Sequence, residues 1–304
     1  MREGIHDETV RALEREDAEY PALLRPVPTA PACLHVRGRL VAGDALAVAL
    51  VGSRRATPYG LSVAETMAAD LAARGVTIVS GLARGVDSAA HRGALRVGGR
   101  TIAVLGSGID SVYPPENRGL AAEIARQGAL VSQFPSGTPP LPQNFPTRNA
   151  VIAGLSLAVV VIEAAERSGS LITARLAAEL GREVLAVPGR VTAPESHGAN
   201  RLIQDGAALA LGWEDVVAAL PERWKTCIDT AARSAPAAAG PAEPDGEPNR
   251  TILSLLGEDP VDIDRVIERS GFGAARVSAA LLDLELGGRV RQIEGKRFVR
   301  VALG

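Results

Sequence analysis

The chain has 304 residues, 46% hydrophobic and 22% charged, which suits one large and one small domain and excludes a chain disordered throughout. Its formal net charge of −2 excludes a uniformly basic protein that coats nucleic acid by global excess, so any anion-binding surface must come from local placement. Cys33 and Cys227 lie far apart without ligand spacing, which fits a reducing cytosol and argues against a zinc site or other metal centre.

The acidic start (Glu3, Asp7, Glu8) lacks the basic end and apolar run of a secretory leader. No apolar run approaches the ~18 residues that a membrane helix needs, so the expectation is a soluble, cytoplasmic protein with no membrane partner. Residues 8–19 read as a short helix, followed by a proline-rich stretch from Tyr20 to Pro31. Segments 45–51, 76–80, 101–105, 129–131, 157–162 and 183–187 are short apolar runs of strand length. Between them, 59–74, 87–97, 116–127 and 170–180 have helical length and a period near 3.6. Strands alternating with helices, without hairpin turns, imply parallel strands joined by right-handed crossovers. The fold class over 41–225 is therefore α/β, a doubly wound, mostly parallel sheet, with 1–40 as an N-terminal extension.

Residues 226–248, rich in Ala, Pro and Gly, read as a flexible linker. Beyond it, 250–256, 263–270 and 274–286 predict three helices, with Gly271-Phe272-Gly273 turning between the last two. Residues 289–293 and 296–301 complete a strand pair, so 249–304 reads as a small winged helix-turn-helix domain.

In an open parallel sheet, ligands bind beyond the carboxyl ends of the strands. The loops there are glycine- and serine-rich: Gly52-Ser53-Arg54-Arg55, Gly81-Leu82-Ala83-Arg84-Gly85, Gly106-Ser107-Gly108 and Arg167-Ser168-Gly169-Ser170. Glycine admits close approach by an anion, helix N-termini offer free N–H groups, and Arg54, Arg84 and Arg167 add charge. One such loop is ordinary turn chemistry; a row of them along one edge suits a polyanion. The cations of 41–220 are 15 arginines and no lysine, against 15 acidic residues, although a GC-rich genome produces the same bias. The fourth loop, 134–149, is long and proline-stiffened and ends in Phe145, Arg148 and Asn149. Phe145 is either a stacking platform for a base or a staple that fixes the start of a helix over 148–155.

No GxxxxGK[ST] pattern occurs, and Gly106-x-Gly108-x-x-Ser111 is a degenerate dinucleotide signature, so no nucleotide cofactor is expected. Asp87 reads as the N-cap of its helix and His91 as packing. No nucleophile with base and orienting group can be assembled, so the pattern points to binding rather than catalysis.

The runs GSRRATPYG (52–60), SGLARGVDSAAHRGAL (80–95), AVLGSGIDSVYPPEN (103–117), SQFPSGTPPLPQNFPTRNAVIAGLS (132–156), ERSGSLITARLAAELGREVLAVPG (166–189) and HGANRLIQDGA (197–207) resemble, in collinear order, the DNA-processing protein A family, also called DprA or Smf. The segment 284–290 is similar to the winged helix that ends many members. The resemblance implies an extended Rossmann-like domain that dimerises, binds single-stranded DNA and helps load a RecA-type recombinase in natural transformation. It implies that Arg54 and Phe145 line the DNA pocket, which favours stacking at Phe145. Read from the loops, the expected phosphate contacts are Ser53, Arg54, Gly81, Arg84, Gly106, Ser107, Arg148, Ser168 and Gly169, with Asn149 beside them. Gln133 and Ala150 depart from the glutamate and arginine frequent in the family, and the helical domain that often precedes the sheet is absent or truncated in so short an N-terminal stretch. On the wing, Arg289, Arg291, Lys296 and Arg297 suggest an auxiliary, sequence-independent contact, with duplex DNA as a further partner; a protein-contact role stands beside it. The rival from another class is a nucleotide-phosphate hydrolase, whose phosphate loop would be followed by a catalytic glutamate that Ser168–Thr173 lacks.

Overall fold

The computed structural model describes residues 10–228, 247–257, 259–286, 289–293 and 295–301, and the chain divides into a large N-terminal and a small C-terminal unit. In the large unit the strands are β1 (Arg11–Glu14), β2 (Cys33–Gly38), β3 (Ala47–Val51), β4 (Thr77–Ser80), β5 (Thr101–Leu105), β6 (Ala129–Ser132), β7 (Ala158–Val161), β8 (Glu183–Ala186) and β9 (Ala208–Leu209). They form one sheet in the order β1-β2-β6-β5-β4-β3-β7-β8-β9. Every neighbouring pair from β6 across to β9 is parallel. The helices are α1 (Pro58–Ala73), α2 (Val86–Arg96), α3 (Arg118–Gln127), α4 (Asn144–Gly154), α5 (Gly169–Glu179), α6 (His197–Gln204), α7 (Trp213–Ala219) and α8 (Glu222–Lys225).

Strand β3 explains why the central runs are apolar without alternation. Ala47, Ala49 and Val51 enter the apolar layer on one face, while Val48 and Leu50 enter the layer on the other. A strand covered by helices on both sides has no polar face to show. After β3 the chain steps outward through β4, β5 and β6, then returns to the other side of β3 for β7. That reversal opens a crevice beyond the carboxyl ends of β3 and β7, where such sheets take their ligands.

The helix expected over 8–19 is overturned: Arg11–Glu14 is a strand, paired antiparallel with β2, which is antiparallel to β6. Leu13 is buried on this edge, and Asp17 Oδ2 accepts the Glu14 N–H at 2.8 Å, closing a turn where a helix would have continued. Part of the N-terminal stretch thus completes the sheet. Helix α4 starts at Asn144, earlier than the helix expected over 148–155, which puts Phe145 in its first turn. Asp87 is not an N-cap: Gly85 holds that position and Asp87 lies inside α2. Among the described residues, no helix is long and apolar enough to cross a membrane.

The small unit contains α9 (Glu247–Leu255), β10 (Val261–Asp262), α10 (Ile263–Ser270), α11 (Ala274–Leu286), β11 (Val290–Ile293) and β12 (Arg297–Arg300). Gly271, at φ +71°, ends α10 in a left-handed conformation that a side chain resists, and frees the chain to turn into α11. The wing gains a third strand, β10, beside the expected pair. Most of the expected linker, residues 229–246, lies outside the described residues.

Candidate nucleic-acid interface

A cavity of about 750 Å³ occupies the crevice, walled by the loops after β3 and β7 and by the first turns of α4 and α5. Four arginines line it (Arg54, Arg55, Arg148 and Arg167) against one acid, Asp87. In a chain of net charge −2, this is a local concentration of positive charge.

Four helices begin around the crevice, α1, α2, α4 and α5, and carboxylates of the chain itself occupy backbone N–H groups at the cap of α1 and in the loop before α2. At α1, buried Glu163 accepts the Thr57 N–H at 2.8 Å and the Thr57 hydroxyl at 2.5 Å, while Thr57 Oγ1 accepts from Gly60 N–H at 3.2 Å. In the loop that leads into α2, Asp87 Oδ2 accepts N–H groups from Gly81 at 3.1 Å and Ala83 at 3.2 Å. Burial pushes the Asp87 carboxyl up, with the Arg148 charge and these hydrogen bonds pulling the other way. The N-terminus of α5 is different. Ser168 caps it, its Oγ accepting from Ser170 N–H at 3.3 Å, Gly169 is exposed with nothing within 4 Å of where a Cβ would lie, and Arg167 is exposed beside them. This terminus faces the cavity and presents a dipole end to an anion.

Phe145 forms the opposite wall. Its ring lies over Gly106, where an added Cβ would come within 2.8 Å of Cδ1, so only glycine leaves the ring its seat. The Arg54 guanidinium carbon lies 5.1 Å from the ring centre, that of Arg148 5.7 Å, and the Tyr113 ring 6.0 Å away at 55°. The half-buried ring meets the cavity on one side and cations on its flanks, an arrangement suited to a π-face.

The residues expected to touch phosphate divide into two groups. Ser53, Arg54, Asn149, Ser168 and Gly169 line the cavity. Arg148 also borders it but is 4% exposed, and its Nη1 donates to the carbonyls of Gly81 at 2.6 Å and Val104 at 2.5 Å. Burial lowers its pKa to about 10, opposed by Asp87 and assisted by Arg54, so it stays charged at neutral pH. Arg148 is thus a brace beneath the surface, tying the ends of β4 and β5 to α4. The Gly81 N–H is spent on Asp87, and Gly106 is the seat of Phe145. Ser107 is buried, its hydroxyl donating to the Ser111 carbonyl at 2.5 Å. Arg84 is exposed on the rim and pairs with Glu116 at 2.5 Å. His91 packs as expected, fully buried with Nδ1 2.7 Å from Thr101 Oγ1. Sequence reasoning missed Arg55 and Tyr113, which line the cavity, and the role of Glu163. The repeated arginine in Arg54-Arg55 and the tyrosine before Pro114-Pro115 were the available signals.

In the small unit, Val290 and Phe298 face its core, while Arg291 and Arg297 alternate onto the other face of β11 and β12, pairing with Val299 and Ile293. Lys296 is exposed in the turn and Arg289 is half-buried before β11. Arg276 of α11 stacks over Phe272, 4.6 Å from the ring centre.

Comparison with known proteins agrees over both units. Residues 11–221 match the family described as DNA recombination-mediator protein A, and residues 235–296 match the DprA winged helix domain. The chain is similar to protein Smf of Escherichia coli, 43% identical across 91% of this chain and 74% of that one. It is also similar to protein Smf of Synechocystis, 38% identical across 95% and 79%. Among solved structures, DNA processing protein A of Streptococcus pneumoniae superposes with a TM-score of 0.66 at 41% identity, covering 70% of this chain and 75% of that one. DNA processing protein A of Helicobacter pylori, whose structure describes a single-stranded DNA binding mode, gives 0.62 at 32% identity over 69% and 94%. The chain belongs to the DprA/Smf family of DNA-processing proteins.

Proposed function

We propose that this protein grips single-stranded DNA in the crevice without regard to sequence and passes it to a RecA-type recombinase. The observation that carries the reading is the cavity's four arginines against one buried, hydrogen-bonded acid, with an aromatic ring on the opposite wall. A phosphate sits at the open N-terminus of α5 with Arg54, Arg55 and Arg167, and a base stacks on Phe145. Arginine suits this task because its planar fork pairs with phosphate oxygens and stays charged when partly desolvated. Stacking contributes about 1–3 kcal/mol per base and accepts any base. The single-stranded DNA binding of the H. pylori relative supports the same ligand here.

Hydrolysis of a nucleotide would need a free acid or base at the cavity. Asp87, the acid among the lining residues, accepts two backbone N–H groups and lies beside Arg148, so it is committed to holding the loop. A homodimer belongs to the reading: β9 is an edge strand with Leu209 exposed, and Leu211, 76% exposed, follows it. Leu211→Glu should then sediment as a monomer; an unchanged dimer would refute that surface.

The test of the main reading is anisotropy of a labelled oligothymidine with wild type, Arg54→Ala and Phe145→Ala. Strong loss is expected for the arginine change and partial loss for the phenylalanine change. Two variants that bind like wild type would end the proposal.

A further inference from the structure

We infer that Tyr113 is a second stacking platform, which forms with Phe145 a two-ring clamp for neighbouring bases of the bound strand. The inference rests on the single-stranded DNA reading of the crevice and extends its path past Phe145 towards Arg84.

Aromatic residues are scarce, nine in 304, yet two of them meet at this rim. Tyr113 is 40% exposed, so part of its ring is accessible to a ligand. Its ring is tilted 55° from that of Phe145 at 6.0 Å, the packing of a tilted aromatic pair, so bases stack on one ring or the other and not between the two. A second, small hollow lies on this side of Phe145, lined by Arg54, Arg84, Tyr113 and Pro114. Phe145 and Tyr113 therefore both border the large cavity and this hollow of about 30 Å³ beside it.

What holds Tyr113 in place also fits a moving part. Its neighbour on the rim is Arg84, itself paired with Glu116, and both of those side chains are more than half exposed. Contacts among exposed polar groups stabilise little and are exchanged readily for a phosphate and a base. Pro114 and Pro115 follow directly and stiffen the backbone beneath the ring, which limits the ordering cost of stacking. A base stacked on Tyr113 adjoins the one on Phe145, while Arg84 is near enough to meet the adjoining phosphate.

The test measures oligothymidine affinity for Tyr113→Phe, Tyr113→Leu, Tyr113→Ala, Phe145→Ala and the double variant Tyr113→Ala/Phe145→Ala, each across a salt series. Tyr113→Phe should stay within about twofold of wild type, because the ring remains. Tyr113→Leu and Tyr113→Ala should weaken binding by about fivefold to 150-fold, with the salt slope unchanged since no phosphate contact is lost. The double variant should bind more weakly than Phe145→Ala alone, because each ring holds its own base. Tyr113→Leu binding like wild type would reduce Tyr113 to apolar bulk, and a double variant no weaker than Phe145→Ala would reduce it to a prop for that ring; either result overturns the inference. If Phe145→Ala and Arg54→Ala both leave affinity intact, the crevice reading itself fails, whatever Tyr113 does.

Discussion

Acid should weaken this protein through one histidine, by an amount the structure sets. His91 is fully buried in α2, and burial first, then the charges of Arg148 and Arg92, lowers its pKa from 6.5 to about 3. In the unfolded chain the same imidazole titrates near 6.5. The folded value is the lower one, so the stabilisation is complete above pH 6.5 and is lost as pH falls toward 3. At pH 5 the unfolded state is protonated and the folded state is not, a gap of roughly 1.5 units, or ~2 kcal/mol. The folded value enters this figure only weakly, since pH 5 lies well above it. At a urea slope of ~2 kcal/mol/M, the midpoint of wild type should fall by ~1 M between pH 7 and pH 5 from this residue alone. Asparagine places an amide near the Nδ1 position that meets Thr101 and carries no titratable group, so His91→Asn should lose about 1 M less over the same interval, whatever its stability at pH 7. Urea melts followed by circular dichroism at both pH values measure the difference. Equal losses in wild type and variant would refute the buried, neutral imidazole. The site shares the consequence, since α2 carries the Asp87 that holds the loop after β4.

Three further outcomes follow from the geometry. Gly106→Ala drives a methyl into the Phe145 ring and should weaken oligothymidine binding by up to ~10-fold while the salt slope stays fixed; unchanged affinity would separate the ring from binding. Arg148→Met leaves the Gly81 and Val104 carbonyls and Asp87 without their cation and should cost about 3–5 kcal/mol of stability; an unaltered thermal midpoint would refute the brace. Arg291→Ser with Arg297→Ser should flatten the salt dependence of duplex binding by about 1.8, from two lost phosphate contacts, and leave oligothymidine affinity intact; an unaltered duplex slope would assign the wing to another partner.

The sheet was legible in the sequence wherever a strand is covered on both faces, as in Val-Ala-Leu-Val at 48–51, because such runs permit little else. The edges were not. Strands β1 and β9 are short and partly exposed, and what makes them strands is the neighbour they pair with, which local pattern does not encode. The site divides in the same way. Arg54 and Ser168 sit on loops after β3 and β7, and Phe145 and Gly169 in the first turns of α4 and α5, all of which the strand ends must place at the crevice, and they converge there. Gly81 and Ser107, on the loops after β4 and β5, and Arg148, within α4, lie close by but turn inward, because their partners are Asp87, Ser111 and Val104. Glu163 reaches Thr57 across 106 positions, a pairing that no window of neighbours contains.

The carboxylates of Glu163 and Asp87 have one more consequence. On the proposed reading, they occupy backbone N–H groups that further phosphates could have used, and leave the start of α5 as the open berth. A solitary phosphate finds a single berth and leaves quickly. A chain of them meets berth, ring and rim together, and each contact raises the effective concentration for the next. On the proposed reading, what the crevice measures is length.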